Sequence, residues 1–109
     1  MQLYRYEFQK DNKNIGILTG LDNFFNEDEI LSVCGIFEMD LDAPNIDMTN
    51  TRSWFTEKGN RKFRKMIRKI KKIAETKNIE VICKTIDINN LNKILYKDIY
   101  QIIEKDMDD

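Results

Sequence analysis

Residues 61–86 read RKFRKMIRKIKKIAETKNIEVICKTI, and inside this stretch the hydrophobic period changes from that of a helix to that of a strand. Phe63, Ile67, Ile70 and Ala74 recur at i, i+4, i+7 and i+11, and Met66 and Ile73 widen the stripe. At 100° per residue these positions cover about 120° of arc, the width of a helix face that packs on a core. Asn78 then stops the helix, and Ile79 to Ile86, dense in β-branched residues, reads as a strand. A helix that hands over to a strand in this way places the chain in the α+β class.

Working outward, the helix extends back to Glu57, with Thr56 as its cap, and spans 57–77, roughly 30 Å. Before it, Arg52-Ser53-Trp54-Phe55 reads as a short strand. Leu3 to Phe8 alternates, with Tyr4, Tyr6 and Phe8 on one core-facing side, and 15–19 returns as the second strand of a hairpin across the polar cluster 10–14. Asn26 followed by Glu27-Asp28-Glu29 suits a helix start, because acids stabilise the positive end of the helix dipole. The helix it opens is apolar nearly all round and is expected to be deeply packed. Residues 38–50, with the only proline (Pro44), form a loop. After the strand at 79–86, Asp87 or Asn89 caps a last helix through Leu91, Ile94, Leu95, Ile99, Ile102 and Ile103. The expected architecture is a single α+β domain over 1–105, in the order β-β-α-β-α-β-α. It has a small, mostly antiparallel sheet, about three helices on one face, and an acidic tail at 106–109.

Charge along the chain is sorted. From Asn14 to Thr51 there are eight acids and no Lys or Arg, whereas from Arg52 to Lys72 there are ten bases and one acid, Glu57. The whole chain nevertheless has a net charge of −1. Fields of this kind steer partners. The candidate binding residues on the basic side are Arg61, Arg64, Lys65, Arg68, Lys71 and Lys72, on the arc left free by the apolar stripe. Those on the acidic side are Glu38, Asp40, Asp42 and Asp47. Between Arg61 and Lys72 no acid supplies the i,i+4 pairs that surface helices ordinarily use, so the repulsion calls for relief from elsewhere.

Several chemistries are disfavoured. The chain has no histidine, which removes the commonest general acid–base group and every His-containing dyad or zinc site. Asp40 and Asp42 open like a calcium loop, but Pro44, Asn45 and Thr51 stand at the fifth, glycine and final glutamate positions, which rules out an EF-hand. An Arg5–Ser53–Glu57 trio has no supporting motif. No catalytic residue, metal or cofactor is assigned. Cys34 and Cys83 lie in apolar stretches without a C-x-x-C pair and are expected to be free, buried thiols. No apolar run is long enough to span a bilayer and the N-terminus lacks signal-peptide regions, so a cytoplasmic protein without a membrane partner is expected.

Tyr4-Arg5-Tyr6-Glu7 and Trp54-Phe55-Thr56-Glu57-Lys58-Gly59 resemble segments of short uncharacterised proteins of bacteria and their phages. The resemblance implies no activity. In such a setting a small charge-polarised protein is expected to be an inhibitor or adaptor, of the anti-defence (anti-CRISPR-like) kind, that binds a bacterial protein. The functional expectation is therefore a non-catalytic binding protein acting by charge complementarity. The alternative is a nucleic-acid binder using the helix at 57–77. Pairing of acidic and basic surfaces between two copies would give a homodimer.

Overall fold

In a computed structural model the described residues are 1–34 and 50–106. Among them are six strands, β1 (Gln2–Lys10), β2 (Lys13–Gly16), β3 (Thr51–Phe55), β4 (Glu80–Asp87), β5 (Ile94–Lys97) and β6 (Gln101–Lys105). Four helices accompany them, α1 (Ile17–Phe24), α2 (Glu27–Cys34), α3 (Glu57–Lys62) and α4 (Arg64–Thr76), with a 3-10 turn at Ile88–Asn90. The strand order is β2–β1–β3–β6–β5, and β4 pairs with β1. The class is α+β and the registered pairings are antiparallel, as expected. The number and order of helices differ from expectation.

The largest difference is at the C-terminus, where the last helix is replaced by β5 and β6. Asp98 makes the turn between them: its Oδ1 accepts from the N–H groups of Tyr100 and Gln101, both at 2.8 Å, and its Oδ2 from the Tyr96 hydroxyl at 2.7 Å. Near the N-terminus the hairpin loop is only Asp11-Asn12, both at positive φ (52° and 63°), as a type I′ turn requires. Strand β2 therefore starts at Lys13, and the helix α1 takes over at Ile17 where a strand was expected to run on.

The chain groups into two compact units, interleaved in sequence. Unit 1 comprises Met1–Arg5, Asp40–Arg61 and Thr85–Asp109. Its core joins Leu3, Trp54 and Ile102, with Ile86, Ile88 and Leu91 packed against them. The Glu104 side chain is buried in the same unit. The Trp54 indole N–H donates to Glu104 Oε2, and Glu104 Oε1 accepts from the Asn92 N–H at 3.1 Å. A buried carboxylate is tolerated when hydrogen-bond donors converge on it in this way. Gly59 lies so close to the Tyr100 carbonyl that an added Cβ would collide with backbone. Asp106, expected in the tail, is held by Arg52 (3.3 Å) and by its own N–H to the Asn50 carbonyl (2.7 Å).

Unit 2 comprises Tyr6–Met39 and Lys62–Lys84. Phe8 is fully buried, with Phe24 edge-on at 5.6 Å and Phe25 tilted at 5.5 Å. Glu7, on the opposite face of β1, is also buried and pairs with Lys84 at 2.9 Å. β1 is thus buried on both faces, not only on the Tyr4/Tyr6/Phe8 side. Two further expectations fail: Leu31 of α2 is exposed, and so is Cys83, a free thiol on the open side of β4.

Candidate functional site

Helix α4 is the element from which a site can be built. Its buried residues are Met66, Ile67, Ile70 and Ala74, with Ile73 half-buried, so the apolar stripe faces the core as the sequence requires. The expected helix over 57–77 is broken, however. At Phe63 the backbone takes φ −97°, ψ 12°, in the bridge region, and divides it into α3 and α4. Gly59 and Asn60 are poor helix formers, and α3 is instead fixed by Thr56. The Thr56 Oγ1 accepts from the Gly59 N–H (3.1 Å) and donates to the Ile99 carbonyl (2.6 Å). The Phe63 ring is itself buried. The thirteen residues of α4 make it about 20 Å long, shorter than the expected rod.

The break sorts the basic residues. Arg61 belongs to α3 and unit 1, where it donates to Glu57 Oε1 at 2.6 Å. Arg64, Lys65, Arg68, Lys71 and Lys72 belong to α4, and Lys69 joins them. All six are exposed and cover about 160° of arc at 100° per residue. Lys71 sits over the Tyr6 ring at 5.8 Å. Among the described residues no carboxylate lies within ion-pairing distance of Arg64, Lys65, Arg68, Lys69 or Lys72. The acidic candidates Glu38, Asp40, Asp42 and Asp47 fall outside the described residues.

The ends of α4 sharpen its electrostatics. It has no side-chain N-cap, no acid in its first turn and no base in its last. Arg64 and Lys65 stand instead at the positive end of the dipole, and Glu75 at the negative end. Its other terminus is well made: Asn78, at φ 59°, lets the Ile79 N–H reach the Ala74 carbonyl (3.0 Å) and the Asn78 N–H reach Glu75 (3.2 Å), a Schellman closure.

Other features are less suited to binding. In unit 1 a cleft of about 640 Å³ is lined by Met1, Thr56, Glu57, Lys58, Lys97, Asp98 and Ile99. Its Thr56 hydroxyl and Asp98 carboxylate are engaged in the turns already described. Burial would raise the Asp98 carboxyl, but hydrogen bonds from Tyr96, Tyr100 and Gln101 outweigh it and hold the group below the usual aspartate range. The Asp87 carboxyl is also lowered, chiefly by the Asn89 N–H at 2.9 Å. Arg5 of the discarded trio donates to the Ser53 carbonyl at 3.0 Å and has a structural role there. Among the described residues no group of three His, Cys, Asp or Glu side chains could hold a metal ion, and no helix is long and apolar enough to cross a membrane.

Compared with protein families, curated proteins and solved structures, the chain matches none.

Proposed function

We propose that this chain is a non-catalytic binding protein that works by charge complementarity, with the exposed cationic face of α4 as its working surface. One observation carries the reading: five adjacent cations of one helix have no carboxylate partner among the described residues, while the helix dipole disfavours two of them. The absence of histidine supports a binding role over acid–base catalysis. An acidic protein surface, as for an inhibitor or adaptor, and a nucleic-acid backbone are the two partner chemistries that suit such a face.

Retention on an immobilised sulfated polyanion tests the reading without choosing between them. The native chain should be held at about 50 mM salt, and the double reversal Arg64→Glu/Arg68→Glu should elute at clearly lower salt. Equal elution of the two proteins, or no retention of either, removes the proposal.

A further inference from the structure

Resting on that reading, we infer that the partner of the α4 face is the phosphate backbone of double-stranded nucleic acid, bound without regard to base sequence. The composition of the face decides against an acidic protein. Protein interfaces are anchored by buried aromatic and aliphatic side chains and are poor in lysine at their centres. The exposed arc of α4 offers Arg64, Lys65, Arg68, Lys69, Lys71 and Lys72, then Glu75 and Thr76, with no apolar or aromatic residue among them. Phosphate backbones need no such anchor, because affinity comes from counterion release at each neutralised charge.

Three further features define the binding mode. The cations form two rows side by side, Arg64–Arg68–Lys71 and Lys65–Lys69–Lys72, with successive residues of each about one helical turn apart, so that contacts repeat along about 12 Å of helix axis. No Asn or Gln lies on the arc to read an adenine edge, and four of its six cations are lysines, as suits contacts that position without specifying. Single-strand binders stack bases on exposed aromatic rings. Here Phe63 is buried, and Tyr6 is half-buried beneath Lys71, so the face offers no stacking platform. The duplex is the better fit.

Fluorescence anisotropy with the full chain tests this, using two labelled 20-base-pair duplexes of unrelated sequence, one single strand and a labelled poly-glutamate. The duplexes should bind within about twofold of each other and more tightly than the single strand. If four to five phosphates are neutralised, the slope of log K against log salt is about −4, and affinity falls about 300-fold between 50 and 200 mM salt. Arg64→Glu/Arg68→Glu should weaken duplex binding more than tenfold and flatten the slope by about 2. Lys93→Glu/Lys97→Glu makes the same change in net charge on β5 and its approach, and should leave binding within about threefold. Circular dichroism confirms that each variant is folded.

Tighter binding to the single strand, strong dependence on duplex sequence, or equal loss in both variants would overturn the inference. Binding of poly-glutamate without the duplexes would also overturn it, yet leave charge complementarity standing. If neither polyanion binds, both readings fall.

Discussion

Helices α2 and α4 lie in the same unit and use charge in opposite ways. Helix α2 begins with a reciprocal capping box: Asn26 Oδ1 accepts from the Glu29 N–H and Glu29 Oε1 from the Asn26 N–H, both at 2.9 Å. Glu27, Asp28 and Glu29 fill its first turn, and Lys77, itself 5.9 Å above the Phe25 ring, pairs with Glu29 at 2.9 Å. Every charge at that terminus is accounted for by the stability of the helix. In α4 the first turn holds cations, the last holds Glu75, and no side chain caps the start. Apart from Lys71 over the Tyr6 ring, its cations have no stabilising partner among the described residues. The contrast teaches that a charged helix face points to a partner only when local electrostatics leave it unexplained.

If that contrast is right, α4 depends on its buried side. Ile70→Ala, at a fully buried position, should cost about 2–5 kcal/mol in urea unfolding, the largest effect considered. A loss below about 1 kcal/mol would mean that the cationic side contributes more than the geometry allows. Removing half of the α2 capping box by Asn26→Ala should cost about 1 kcal/mol. No comparable cap exists to remove from α4.

Arg64→Glu/Lys65→Glu sharpens the comparison, because it should make α4 resemble α2. New acids at the dipole's positive end, each four residues before a cation (Arg68 and Lys69), should stabilise the protein by about 0.5–1 kcal/mol at low salt while weakening polyanion binding. Measured destabilisation would refute the dipole argument. The smallest effect concerns pH. The Asn26 N–H first, and Lys77 second, hold the Glu29 carboxyl below its ordinary value. A depressed carboxyl contributes stability above its unfolded pKa and loses it as pH falls through the folded one. Glu29→Gln should therefore flatten the decline in stability below about pH 4.3, seen by thermal melts at stepped pH. An unchanged acid limb would show that the pairing carries no weight.

Sequence reasoning succeeded where one local signal dominates. The α4 stripe, the Asn26 and Thr56 caps, the Asn78 stop and the strand near 80–87 each rest on one, and the exposed cations follow from the stripe. It failed where tertiary surroundings decide. In β6, Gln101 to Glu104 are all buried, so Ile102 and Ile103 are adjacent apolar residues in a strand covered on both sides. Such a pair suits a helix equally well on paper. Asp98 was legible as polar but not as a turn-maker, because its role depends on hydrogen bonds to Tyr96, Tyr100 and Gln101. The break at Phe63 has no proline to announce it. It leaves Arg61 in α3 rather than α4 and shortens the site.

The interleaving of the two units bears on how the molecule can be dissected. The backbone leaves unit 1 within β1, leaves it again between Arg61 and Lys62 at the end of α3, and returns within β4. Severing any one peptide bond leaves at least one unit without part of its chain, so terminal truncations are blunt tools for mapping function. Neither unit can be made as an uninterrupted fragment. Trp54, the only tryptophan, resides in unit 1, whereas α4, the longest helix among the described residues, resides in unit 2. Indole emission and helical ellipticity therefore watch different parts of one polypeptide, and their denaturation curves, overlaid, measure how tightly the two melt together.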